Sequence, residues 1–94
     1  MALTVLIAYD ISVDHTRARV AAYLQQWGDR IQRSVFICAV APDDLDTVNT
    51  TLATMINPNT DAIHLLPACA TCWTRRTVHG QAERHPDRPY WAIL

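Results

Sequence analysis

Residues 3–9 (LTVLIAY) are apolar but for one threonine and close on a carboxylate at Asp10. The run is β-prone and lacks the polar alternation of a strand with one solvated face. It reads as a central strand covered on at least one side, which commits the chain to a sheet. It also falls well short of the ~20 residues that span a bilayer. No transmembrane helix is therefore expected. The start lacks the basic flank and small-residue cleavage site of a secretory signal, so the cytoplasm is the expected location, with no membrane partner. The chain has 94 residues, half of them hydrophobic, which suits one compact domain. Such a chain buries about 60 to 65% of the surface it exposes when unfolded, enough for one modest core. A deep private active site does not fit, and an enzyme of this size commonly borrows surface from a second subunit.

After Asp10, Ser12 or Asp14 can cap a helix in which Val20, Tyr23, Leu24 and Trp27 recur on one side, and Gly28 stops it. Arg17 then lies near the helix start, close to Asp10. Residues 30–40 (RIQRSVFICAV) read as one bent strand or as a hairpin turning near residues 32–34. Pro42, Asp43 and Asp44 suit the first turn of a second helix. Its apolar stripe is Leu45, Val48, Leu52, Met55 and Ile56, and Asn57, Pro58 and Asn59 end it. Residues 61–66 (DAIHLL) form a further strand, residues 67–70 a turn, and residues 73–79 a returning strand. Residues 81–89 are polar, with two prolines, and precede an aromatic and aliphatic run, YWAIL, at residues 90–94. That run should dock as a strand on its own sheet or a partner's. The order describes a ferredoxin-like α+β sandwich, βαββαβ, with an additional C-terminal strand. Residues 1–80 form the domain and residues 81–94 an arm. No internal repeat or low-complexity segment interrupts it.

A formal charge of −1 does not announce a nucleic-acid binder, but the average conceals an arrangement. Residues 10–36 carry Arg17, Arg19, Arg30 and Arg33 against three aspartates, whereas residues 41–63 carry four aspartates and no basic residue. All eight basic residues are arginine. Its planar fork suits phosphate, although genomic base composition accounts for an arginine-only chain equally well. Three cysteines are too few for a disulfide scaffold. Cys38, in an apolar run, reads as core. Cys69 and Cys72 form a C-x-x-C with three readings: a redox dithiol, half of a zinc site, or two small residues in a turn between strands.

One ordered set of residues is more specific: Tyr9-Asp10-Ile11-Ser12, then Arg17 and Arg19, then Gly28, Arg30, Gln32, Ser34, Val35 and Phe36. In this order and spacing the set resembles the CRISPR-associated protein 2 family, closely over residues 3–40 and more loosely to the end. The resemblance implies a two-fold homodimer in which the final strand, here residues 90–94, crosses to the partner's sheet. It implies that Asp10 is the catalytic and metal-binding residue, meeting its symmetry mate at the interface around magnesium or manganese. Two such carboxylates supply the oxygen ligands magnesium prefers, and the ion can polarise a phosphate and lower the pKa of a bound water. By its residues alone, Asp10 reads as a strand terminator and helix cap in preference to a metal ligand. The resemblance further implies that Arg17, Arg19 and Arg30 contact phosphates, with Tyr9, Ser34 and Phe36 in support. Solvated arginines, core aromatics and a hydroxyl satisfying a bent strand are the plainer readings of these six. His15 reads as a surface residue.

The activity so implied is metal-dependent phosphodiester hydrolysis in RNA or double-stranded DNA during spacer acquisition, with the CRISPR-associated integrase as partner. The alternatives are a non-catalytic DNA-binding scaffold in the same complex, a stand-alone ribonuclease toxin resembling virulence-associated protein D, and a small-molecule-binding regulatory domain on the same fold. Many family members carry an acid directly after the phenylalanine; this chain has Ile37 there, which weakens catalysis more than scaffolding.

Overall fold

The computed structural model describes residues 2–77 together with His79 and Gly80. The expected arm and final strand, residues 81–94, lie outside the described residues. Seven elements follow in order: β1 (Leu3–Asp10), α1 (Asp14–Leu24), β2 (Gly28–Gln32), β3 (Val35–Val40), α2 (Pro42–Met55), β4 (Ala62–Ala68) and the short α3 (Ala70–Thr74). The strands make one sheet in the order β2-β3-β1-β4, every neighbour antiparallel. This is the ferredoxin-like arrangement, and β1 lies inside the sheet, as its unbroken apolar run requires.

Strand pleating divides β1 into two sets. Val5, Ile7 and Tyr9 are buried with Phe36, Cys38 and Val40 of β3, Val20, Ala21 and Leu24 of α1, and Val48 and Leu52 of α2. Both long helices therefore cover this face. The other set is Thr4, Leu6, Ala8 and Asp10. In register beside it stand Ile37 and Val35 of β3 and Leu66 and His64 of β4, so Asp10 lies on the face that the long helices leave uncovered.

The segment with two readings is a hairpin. β2 and β3 pair around the turn at Arg33 and Ser34, and a register shift between Arg30 and Gln32 marks a bulge at Ile31. That extra residue breaks the alternation, which is why the pattern alone leaves a bent strand open. Pro42 stands at the start of α2 with Asp43 and Asp44 in the first turn, as expected.

Four local expectations are corrected. Neither Ser12 nor Asp14 caps α1: the cap is Val13, with no side-chain hydrogen bond, because the Ser12 hydroxyl is engaged by Asp61 and the Thr60 carbonyl. Nor does Asp10 cap it. Gly28 does not stop α1, which ends at Leu24; it opens β2 where a Cβ would run into the Ile37 carbonyl oxygen and lie 2.6 Å from Cys38 Cα. The fourth correction concerns residues 67–79. β4 continues through Pro67, tolerated because β4 is an edge strand. Residues 70–74 then form a single helical turn where a turn and returning strand were expected. The Cys69 sulfur accepts from the Cys72 N–H and closes that turn, overriding the β propensity of the tryptophan and threonines. Among the described residues, no helix is long and apolar enough to cross a membrane.

Candidate functional site

One end of the sheet gathers most of the expected site. Here β1 ends at Asp10, the β2–β3 turn carries Arg33 and Ser34, β4 begins at Ala62 opposite Asp10, and α1 starts. The Tyr9 N–H donates to the Ser34 carbonyl at 3.0 Å and the Tyr9 hydroxyl reaches the Arg33 carbonyl at 3.4 Å, so strand and turn are locked together. The Tyr9 and Phe36 rings lie 6.3 Å apart, both within the core. Phe36 is fully buried, which confirms its plainer reading as core, and the Arg30 guanidinium covers its ring at 5.3 Å from the centroid. That stacking places the Arg30 guanidinium beside β3 while the residue stays exposed.

Asp10 is exposed, and among the described residues its carboxylate makes neither a hydrogen bond nor an ion pair. A carboxylate at the end of a rigid central strand with its lone pairs free is held in place by its backbone and available to an external cation. The arginines differ from one another. Arg17 donates to the Ile11 carbonyl at 2.8 Å and pairs with Asp14, so it fastens the β1–α1 connection to the first turn of the helix. Much of its donor capacity is spent inside the chain. Arg19 sits two residues on, roughly 3 Å further along the axis of α1, exposed, and has no ion pair among the described residues. The site residues on β1, β2, β3 and their turn thus share one end of the sheet but not one face: Tyr9, Phe36 and Arg30, which is in register with Phe36, lie on the side of the long helices and Asp10 on the other, whereas Arg19 stands on α1.

The sequence reasoning missed Asp61. Its carboxylate accepts from the Ser12 N–H and hydroxyl, both at 3.1 Å, from the Asn57 N–H at 3.0 Å and from the Thr60 hydroxyl at 3.1 Å. The Asn57 and Ser12 N–H groups, in that order, hold its carboxyl below the usual range. This clamp ties the loop after β1 to the loop before β4 and so fixes the backbone immediately beyond Asp10. The signal was the Asn57-to-Asp61 turn composition, but its partner is 49 residues away.

A family model described as CRISPR associated protein Cas2 matches residues 2–76. The chain belongs to the Cas2 family. A relative from Rhodospirillum rubrum named "CRISPR-associated endoribonuclease Cas2 4" is 38% identical over 89 residues, which is 95% of this chain and 72% of the relative. A relative from Thermus thermophilus named "CRISPR-associated endoribonuclease Cas2" is 33% identical over 87 residues, covering 90% of this chain and 93% of its own. Among solved structures, that of Streptococcus pyogenes Cas2 is similar with a TM-score of 0.71 and 28% identity, covering 81% of this chain and 96% of its own. A hypothetical protein from Thermus thermophilus aligns with a TM-score of 0.79 and 25% identity over 89% of this chain and 98% of its own. The Cas2 relatives are named as nucleases, and these two solved structures have the same fold.

Proposed function

We propose that this chain is a homodimeric, metal-dependent endonuclease of CRISPR spacer acquisition, hydrolysing phosphodiester bonds in RNA or double-stranded DNA. The observation that carries the reading is the position of Asp10: exposed, without a side-chain partner among the described residues, at the end of the central strand and on the face the long helices do not cover. Half-buried Leu6, Ala8, Val35 and Ala39 and exposed Leu66 share that face. A second copy seated there brings two Asp10 side chains toward a common axis.

The donor set fits a hard divalent cation only in that dimer. Among the described residues no three His, Cys, Asp or Glu side chains cluster, so one protomer does not assemble a three-ligand site around Asp10. Magnesium or manganese accepts one or two carboxylates and completes its shell with water, so a symmetric Asp10 pair suffices. When bound, the ion supplies a Lewis acid at the scissile phosphate and acidifies a bound water. Arg30 and Arg19 draw the backbone in by charge, without regard to sequence. Arg17 contributes charge while holding the loop behind Asp10. The final strand, residues 90–94, crossing to the partner, the CRISPR-associated integrase as the larger partner, and a cytoplasmic location belong to the same proposal, as does the division into residues 1–80 and 81–94.

The deciding experiment follows cleavage of labelled RNA and duplex DNA with magnesium, manganese or chelator, with duplex binding and sedimentation in parallel. Asp10→Ala should lower the metal-dependent rate by on the order of 100-fold or more while binding persists, as for loss of a group that stabilises developing charge. A second reading, the non-catalytic DNA-binding scaffold, is favoured by Ile37: the position after Phe36 carries no carboxylate, and it pairs with Leu6, four residues before Asp10 on β1. No cutting with intact duplex binding selects the scaffold. Cutting that survives Asp10→Ala removes Asp10 from the chemistry.

A further inference from the structure

Cys69 and Cys72 lie outside the site described above and are the two exposed thiols among the described residues, whereas Cys38 is buried. Their Sγ atoms are 3.4 Å apart across the single turn of α3, within hydrogen-bonding contact. The backbone already holds the pair in register: Cys69 precedes the turn in extended conformation, and the Cys72 N–H donates to Cys69 Sγ at 3.4 Å. No third ligand stands with them, because no three His, Cys, Asp or Glu side chains cluster among the described residues. A zinc site is therefore not assembled within the described chain, and a turn between strands is excluded by α3.

We propose that Cys69 and Cys72 form a reversible dithiol–disulfide couple, oxidised by exchange with low-molecular-weight disulfides of the glutathione type. Cys69 is the attacking sulfur. Its thiolate displaces one thiol from the incoming disulfide, giving a mixed disulfide on Cys69. Cys72 then gives up its proton, and its thiolate attacks Cys69 Sγ and releases the second thiol. The chain loses two thiol hydrogens and the incoming disulfide becomes two thiols, so atoms and electrons balance. The division of labour agrees with the local hydrogen bonds. The Cys72 N–H holds the Cys69 thiol below its ordinary value, and the Cys69 sulfur holds the Cys72 thiol above it. Because α3 packs on β1 and β4, closing the disulfide would stiffen the exit from the sheet.

The test uses the full reduced chain, desalted and incubated with glutathione disulfide, quenched in acid, alkylated and mapped by peptide mass spectrometry. The expected product is an intramolecular Cys69–Cys72 disulfide with Cys38 untouched, reversed by dithiothreitol. Cys72→Ser should stop at one glutathione on Cys69, whereas Cys69→Ser should react more slowly at its remaining exposed thiol, which lacks the backbone N–H that Cys69 keeps. Both cysteines are exposed, so neither serine disturbs the core. Two free thiols at Cys69 and Cys72 after an incubation that oxidises an unstructured peptide of the same sequence would overturn the proposal. So would disulfides formed only between chains, equal reactivity of the two serine variants, or zinc that survives desalting and protects both thiols.

Discussion

Arginines that look alike in the sequence separate once their contacts are known. Arg17 is bound to the Ile11 carbonyl and to Asp14, so truncating it removes a backbone hydrogen bond and a half-exposed ion pair. Arg17→Ala should cost about 1 kcal/mol, read as a melting temperature lower by roughly 4–8 °C. Arg19→Ala should leave the melting temperature unchanged while weakening nucleic-acid binding, and the slope of log affinity against log salt should fall by about one. If both variants melt alike, Arg17 is not the fastening residue. Cys38 gives a prediction in pH. Burial, with the Asp29 charge adding to it, pushes its thiol up from the ordinary 9.0 to about 12. The native state keeps the proton that the unfolded state loses above pH 9.0, so stability falls as pH rises from there toward about 12. Urea midpoints on either side of pH 9.0 should show a steeper decline for the native chain than for Cys38→Ala; parallel declines would show that other groups dominate.

At the scale of elements, hairpin and clamp hold the site while the helices supply the core. Gly28 is the point of closest approach between β2 and β3, because a Cβ there meets the Ile37 carbonyl and the Cys38 backbone, neither of which can swing aside. Gly28→Ala should destabilise the chain by about 2 kcal/mol or more, seen as a lower denaturant midpoint. An unchanged midpoint would show that the bulge at Ile31 lets β2 shift. The bulge, the glycine and the Tyr9-to-Ser34 hydrogen bond together set where the Arg33–Ser34 turn stands relative to Asp10. On the other side the Asp61 clamp sets the departing loop. The end of β1 is thus held on one flank by the backbone of the turn and on the other by the Asp61 carboxylate, with no contact from the Asp10 side chain among the described residues.

For the whole molecule, the consequence is a sheet with one face packed by α1 and α2 and the other offering apolar side chains around Asp10. Leu66, 61% exposed on that second face, gives a direct test of the proposed dimer. Leu66→Asp should still fold cooperatively and sediment as a monomer at concentrations where the native chain is a dimer, since an unpaired charge in an apolar interface is costly. A persisting dimer would move the interface to another surface. The proposed metal-dependent activity should be lost together with the dimer, because the proposed site needs Asp10 from both protomers.

The ferredoxin-like sandwich was legible because its periods are strong. An unbroken apolar run demands an interior strand, stripes at three- and four-residue spacing demand helices packed on one face, and proline with acids demands a helix start at Pro42. Asp10 was legible because it closes the most hydrophobic strand, and the ordered arginine and hairpin residues pointed to the family. The tertiary structure decided what depends on distant partners. Ser12 left the role of cap because Asp61, 49 residues away, accepts its hydrogen bonds. Gly28 became a strand residue because β3 passes so close. The turn at residues 70–74 is helical because a sulfur three residues back satisfies its backbone. Local pattern reports which face of an element is apolar; only the packed chain decides which polar atoms find partners and which, like the Asp10 carboxylate, find none among the described residues.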